Sequence, residues 1–348
     1  MPKRSKTLLV ANPTARTGKA EKSIDTAMEG LAKVGLNPEF FATQPEGRTV
    51  SALADRLESV EDVARVAYLG GDGTFAESAK GIILARERTG VDLPLAMLPM
   101  GTANDQGRSF GIMAGDKALE GNIQVIAEGV ERWLDVGQIQ AFDEHGEVKA
   151  QDLWFDNTGF GLSAQILAQR NRDMKKVSKF PLLQNFYRDK TLYVGAAFNS
   201  FFRTMATRMR FACEVTVDAE VHEWTECTDL VINGTLLYGG DWIFAENSQP
   251  DDGKFEVLPF RGHADWARAT IQSHKHNPMN NDDRETLGIA NRTVVQGREI
   301  EVKLFRPDHV DEIPAQIDGE EFTSADHYRV ENLFHHLRII VPEGGSWI

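Results

Sequence analysis

Residues Gly70-Gly71-Asp72-Gly73-Thr74 follow directly on the apolar run Val66-Ala67-Tyr68-Leu69. A buried strand that ends in a glycine-rich turn with one carboxylate is suited to handling phosphate. Without Cβ atoms, backbone N–H groups can approach phosphate oxygens closely. The carboxylate repels phosphate and is better suited to hold Mg²⁺ or a hydrogen-bond network around it. Phe75, Ala79, Ile82 and Ile83 then recur at helical spacing, and a helix N-terminus favours anions. The competing reading is a surface Asp-Gly turn; two adjacent glycines between a strand and a helix favour phosphate. The pattern is neither Walker A nor Gly-x-Gly-x-x-Gly.

Two further segments carry similar chemistry. Pro99-Met100-Gly101-Thr102-Ala103-Asn104-Asp105-Gln106-Gly107-Arg108 follows a short apolar strand at 95–98. Taken alone, its Asn-Asp pair reads as a helix cap. Gln316-Ile317-Asp318-Gly319-Glu320 taken alone reads as a hairpin turn, since Asp-Gly between apolar residues is a strong hairpin signal.

The elements that position these loops change character along the chain. Short apolar strands at 7–11, from Phe40-Phe41, at 66–69 and at 95–98 alternate with amphipathic stretches such as Ile24, Ala27, Met28, Leu31 and Val34. That alternation predicts a parallel α/β sheet, whose ligands bind at the carboxyl ends of strands. Past about Trp133 the period becomes two, as in Met209, Phe211, Cys213, Val215 and Val217, and in Ile300, Val302 and Leu304. A helix is expected around 264–273. The fold class expected is α/β plus β: a Rossmann-like nucleotide-binding domain over 1–132, completed by 335–348, and a β-rich, sandwich-like domain over 133–334. The active site is expected in the interdomain cleft.

Bulk properties narrow the function. The 348 residues are 41% apolar and 26% charged, ordinary for a globular protein large enough for two cores. The net charge of −14 argues against nucleic-acid binding. No apolar run approaches the roughly 18 residues of a membrane helix. The N-terminal stretch reads as a first strand and not as a signal peptide. Two cysteines, Cys213 and Cys227, are too few for a disulfide framework and make a reducing cytoplasm the default, although one bridge between them stays open. His263, His274 and His276 lack a metal-ligand spacing and read as surface histidines. Residues 170–210 hold ten Lys/Arg against only Asp173 and Asp189, with many aromatics. That composition fits a surface facing anionic lipid or, equally, a core helix with a basic edge.

Together, GGDGT, PxGTxND and the late QxDGE resemble the diacylglycerol-kinase catalytic family, soluble bacterial lipid kinases related to sphingosine, ceramide and NAD kinases. Asn12-Pro13, Asn233-Gly234-Thr235, Tyr238-Gly239-Gly240 and Asp251-Asp252-Gly253-Lys254-Phe255 extend the resemblance over nearly the whole chain. The resemblance implies ATP and Mg²⁺ as cofactors and a phosphotransferase acting on a lipid hydroxyl, diacylglycerol first, with ceramide, a sphingoid base or another long-chain alcohol next. It implies a nucleotide site made of Asn12, Thr43, Gly70, Gly71, Asp72, Gly73, Thr74, Glu77, Gly101, Thr102, Asn104 and Asp105. Asp72 would organise the Mg²⁺–ATP network, Asp318 would be the general base, and Glu320 joins the catalytic set. Asp252 would ligate a structural Mg²⁺, with the carbonyls of Gln249 and Lys254. Asp318→Asn is expected to leave folding largely intact while turnover collapses. Ala76, Gln106-Gly107 and Ala245-Glu246-Asn247-Ser248 depart from the family pattern. The expected setting is the cytoplasm, peripheral at the inner face of the membrane, with segment 170–210 against anionic lipid. Oligomeric state stays open, a homodimer included. The alternatives are an NAD-kinase-like enzyme for a soluble metabolite and a catalytically idle nucleotide- or lipid-binding regulator.

Overall fold

In the first part of the chain, four short strands form a parallel sheet, three of them largely buried and the one at the edge only partly so. They are β1 (Lys6–Ala11), β2 (Asn37–Ala42), β3 (Val63–Gly70) and β4 (Leu95–Pro99), in the order β4-β3-β1-β2. The computed structural model describes residues 5–15, 19–58, 62–101, 104–168, 210–239, 242–273 and 293–344. The chain divides into two units, one of residues 1–136, 249–252 and 333–348, the other of 137–248 and 253–332.

In the first unit, helices α1 (Lys19–Lys33) and α5 (Leu119–Glu128) bury Ile24, Ala27, Leu31, Ile123 and Ile126 against Leu9, Ala67, Ala96 and Leu98 of the sheet. α2 (Thr49–Glu58) and α3 (Asp72–Thr89) meet where Gly81 faces Leu53: a Cβ on Gly81 would lie 2.8 Å from a Leu53 methyl. A fourth short helix, α4, spans Asp105–Ser109. Coverage by helices is why these strands read as apolar runs rather than alternating ones. The expected second strand begins three residues earlier than its aromatic pair, at Asn37, because Lys6↔Asn37 pairing extends the ladder. From β1 the chain crosses to β2 on one side and then to β3 on the other. Strand order therefore reverses between β1 and β3, and a crevice opens at their carboxyl ends.

The second unit is antiparallel. Its strands include β6 (Val148–Trp154), β7 (Asn157–Gly161), β8 (Phe211–Val217), β9 (Glu220–Asn233), β10 (Phe255–Arg261) and β11 (Val295–Gly297). They are followed by β12 (Glu299–Phe305), β13 (Ala315–Ile317) and β14 (Glu320–Phe322). Two long strands, β5 (Glu131–Phe142) and β15 (His327–Ile340), contribute residues to both units. Within the second unit the order is β14-β13-β7-β9-β8-β12-β15, with β10 pairing β9 and β11. One face carries Trp154, Phe160, Leu230, Ile232, Phe255 and Val257. The opposite face packs Val231, Leu258 and Phe260 against Phe244 and against Trp266 of helix α6 (Gly262–Gln272). Cys213 and Cys227 are both free and buried, with their sulfurs 3.8 Å apart. Among the described residues no helix is long and apolar enough to cross a membrane.

Candidate active site

β3 ends at Gly70 and α3 begins at Asp72, so the glycine motif is the turn between them. Gly71 occupies the N-cap position in an extended conformation, and no side chain caps the helix. Of its first N–H groups, that of Thr74 donates to the Gly71 carbonyl at 3.0 Å, which leaves the Gly73 N–H for another acceptor. The glycines here answer to specific neighbours. A Cβ on Gly70 would lie 2.5 Å from Thr74 Oγ1, and one on Gly101 would lie 2.5 Å from the Cα of Gly71. The two glycine loops touch backbone to backbone, which only residues without side chains allow.

The loop after β4 is laced onto that turn. Met100 N–H donates to the Gly70 carbonyl at 2.6 Å and Gly101 N–H donates to it at 3.1 Å. Asn104 is almost wholly buried in the left-handed region (φ 55°). Its Oδ1 accepts Gly101 N–H at 2.7 Å and its Nδ2 donates to the Gly101 carbonyl at 2.6 Å. The helix-cap reading of the Asn-Asp pair is thus replaced. Asn104 does precede α4, but its side chain makes no cap bond and instead closes the Gly101 loop.

Asp72 is held by this loop. Its Oδ2 accepts Asn104 N–H at 2.9 Å, while Oδ1 is buried without a hydrogen-bond partner. Burial raises its carboxyl pKa above the ordinary range, opposed by N–H donation from Asn104, Asp105 and Gln106. Tyr68, fully buried edge-on to Phe75, has its phenol pushed well upward, first by burial and then by Asp72. A buried carboxylate oxygen with no hydrogen-bond partner is a hard oxygen donor of the kind a divalent cation takes, and the adjoining helix N-terminus suits the phosphate.

A cavity of about 150 Å³ opens at the β1/β3 reversal. Asn12, Gly70, Gly71, Thr74 and Gly101 line it together with apolar Ile24 and Met100. Asn12 Oδ1 accepts the Thr14 N–H at 3.0 Å and the Thr14 hydroxyl at 2.9 Å, turning the chain after β1. Thr43 N–H donates to the Ala11 carbonyl, the last of β1. Gly73 is exposed, with open space where a Cβ would stand, and Glu77 is half-buried on α3. Thr102 lies outside the described residues.

In the second unit, Asp318 and Gly319 form the turn between β13 and β14 with φ of 46° and 76°, as a two-residue hairpin loop requires. The Asp318 carboxylate is engaged on both oxygens. Oδ2 accepts Phe155 N–H at 2.8 Å, and Oδ1 accepts Asp156 N–H at 2.8 Å and Asn157 N–H at 3.2 Å. Glu320 is exposed. Gln249, Asp252 and Lys254, the residues read as metal ligands, are also exposed, the first two clustering with the first unit. Among the described residues no three His, Cys, Asp or Glu side chains form a metal-holding group; the set read from sequence contains one carboxylate. Apart from Arg210, which pairs with Glu226, the basic aromatic segment lies outside the described residues.

Several buried polar residues were given no role by the sequence reading, although Asn233 belongs to a segment matched to the family pattern. Asn157, Asn233 and Glu256 stand side by side across β7, β9 and β10, and both side-chain polar atoms of fully buried Asn233 lack partners. Asp229, also fully buried, accepts Trp266 Nε1–H at 2.9 Å, Ser163 N–H at 3.1 Å and the Ser163 hydroxyl at 3.0 Å. Burial pushes its carboxyl up to about 7 despite these donors. The one available signal was Asp156-Asn157-Thr158-Gly159, polar residues where a core strand should be apolar.

Residues 6–139 match the family model described as Diacylglycerol kinase catalytic domain. The resemblance read from the motifs is thereby shown for this stretch. A diacylglycerol kinase of Staphylococcus saprophyticus is 30% identical over 138 residues, 40% of this chain and 42% of that protein. One from Staphylococcus aureus is 29% identical over 136 residues, 39% and 40% of the two chains. The chain thus spans about two fifths of the length of these relatives. In fold, it is similar over 98% of both chains to a diacylglycerol kinase structure from Bacillus anthracis, with TM-score 0.66 and 17% identity. It is similar to yeast NADH kinase complexed with NADH with TM-score 0.52 and 8% identity, over 99% of this chain and 86% of the other. At these identities the likeness is one of fold.

Proposed function

We propose that the chain is an ATP- and Mg²⁺-dependent lipid kinase that transfers the γ-phosphate to a membrane-lipid hydroxyl, with diacylglycerol the first acceptor to test. One observation carries this reading: two glycine loops in backbone contact at an uncapped helix N-terminus, with Asp72 presenting a buried, unpartnered oxygen. The family match and the names of the relatives support it.

Phosphoryl transfer depends on positioning and charge neutralisation more than on covalent help. The Gly73 N–H at the start of α3 binds a phosphate oxygen, and Asp72 Oδ1 would hold the cation. Bound Mg²⁺ would offset the charge on the phosphate oxygens. Asn12 and Thr74 orient the nucleotide within the cavity they line. Asp318 accepts the proton of the lipid hydroxyl as the new P–O bond forms, since an ordinary carboxylate cannot remove it beforehand. Asp252, with the carbonyls of Gln249 and Lys254, would be the set to hold a structural cation. The enzyme works at the cytoplasmic face of the membrane, with segment 170–210 against anionic lipid.

The test is transfer of labelled γ-phosphate from ATP to diacylglycerol, ceramide, sphingosine, monoacylglycerol or NAD in mixed micelles. A labelled lipid that disappears with Asp72→Asn supports the proposal. Labelled NAD alone, or ATP binding with no labelled acceptor, refutes it.

A further inference from the structure

We propose that Gln316 and Asn157 are positioning residues for Asp318, through a buried amide relay that fixes the direction of its carboxylate. This rests on the reading of Asp318 as the proton acceptor.

The relay runs through four side chains. Gln316 Oε1 accepts Gly319 N–H at 2.9 Å, and Gln316 Nε2 donates to Asn157 Oδ1 at 2.7 Å. Asn157 Nδ2 donates to Asp156 Oδ2 at 2.9 Å, and Asp156 Oδ1 accepts the Thr235 hydroxyl. Asp156, Asn157, Thr235 and Gln316 are all buried. The backbone end of this chain allows one direction only. The Gly319 N–H can only donate, so it fixes Gln316 Oε1 as acceptor and Nε2 as donor, and that in turn fixes Asn157. Both amides are therefore held in a single orientation.

The relay closes on Asp318 from two sides. At one end it holds Gly319, the other residue of the turn. At the other end Asp156 and Asn157 donate their own N–H groups to Asp318 Oδ1, and Asp318 N–H returns to the Asn157 carbonyl at 2.8 Å. The turn and the start of β7 are thus tied through side chains as well as backbone. Gly159 makes the crossing feasible. Gln316 sits opposite it in the ladder, and a Cβ there would lie 3.1 Å from Gln316 Nε2. Residues 155–157 donate directly to the Asp318 carboxylate, and Thr235 reaches it only through Asp156.

This arrangement goes beyond what folding requires. Apolar side chains of similar shape could fill the same space at little cost, whereas a relay with one permitted direction fixes orientation. Misplacement of a reacting group by about 1 Å can cost on the order of 100-fold in rate.

The experiment compares Gln316→Met, Asn157→Leu, the double variant and Asp318→Asn in the full chain, below the lowest melting temperature of the set. ATP affinity, lipid KM and kcat are measured separately. The expected result is a kcat fall of about 10- to 100-fold in each single relay variant. ATP affinity and KM should stay within about two-fold, and the double variant should be no worse than the worse single one. Wild-type kcat in Gln316→Met, or losses that multiply in the double variant, would overturn the relay while leaving the proton-acceptor reading intact. Turnover retained in Asp318→Asn would instead remove that reading, and the relay's role with it.

Discussion

Asp318→Asn separates two roles for the same carboxylate. On sequence grounds this substitution is expected to spare the fold. The structure predicts otherwise, because three backbone N–H groups converge on two carboxylate oxygens. An asparagine offers one acceptor oxygen and one NH₂. With its oxygen placed at Oδ1, the Asp156 and Asn157 N–H bonds survive as neutral ones. The NH₂ then faces the N–H of Phe155, a residue that is 1% exposed. One charge-assisted hydrogen bond is lost outright, and such bonds contribute about 1.5–3 kcal/mol. The other two weaken towards neutral strength. Together this predicts destabilisation of about 2–4 kcal/mol. At roughly 2–4 °C per kcal/mol for a unit of this size, melting should fall by about 4–16 °C. Scanning calorimetry of wild type and Asp318→Asn, with and without ATP, measures it. A variant that melts with wild type would show that these N–H contacts do not hold the turn, and the structural reasoning would fail whatever happened to turnover.

Asp72→Asn should behave in the opposite way. Its NH₂ fits the unpartnered Oδ1 position and removes a carboxylate whose pKa burial raises, so melting at neutral pH should hold or rise while Mg²⁺-dependent turnover is lost. Gly101→Ala should cost about 1–3 kcal/mol, because its Cβ meets the Gly71 backbone, and should weaken ATP binding measured by calorimetry. Asn233→Leu, which removes two unpartnered buried polar atoms, should raise the melting temperature by an amount equivalent to about 1–3 kcal/mol. Asp229 has a folded-state pKa of about 7, above its unfolded value, so its contribution is complete below pH 4 and is lost as pH rises towards 7. The stability of Asp229→Asn relative to wild type should therefore rise with pH, by on the order of 4 kcal/mol between pH 4 and neutrality, and stay flat above, as read by urea melts between pH 4 and 8.

What the sequence could and could not show follows from the range of the interactions involved. The glycine turn after β3 and the loop after β4 were legible because the backbone demands act between near neighbours: Gly70 against Thr74, Gly101 against Asn104. That Gly101 also presses on Gly71 is a tertiary fact, yet both glycines were already marked by their own loops. Asp318 was legible as a turn residue for the same local reason. Its three donors stand more than 160 positions earlier in the chain, at 155–157, and no period or motif links the two stretches. Asp229 was missed for a different reason. In Thr228-Asp229-Leu230-Val231-Ile232 an acid next to apolar residues reads as the solvent side of an alternating strand. Both faces of β9 are covered here, and Trp266 from α6 supplies the donor that lets the acid lie inside. Polar residues at core positions are therefore where sequence patterns fail in this fold. Burial costs them stability unless partners from distant strands meet them, and that requirement drew Asp156, Asn157 and Gln316 into one network around Asp318.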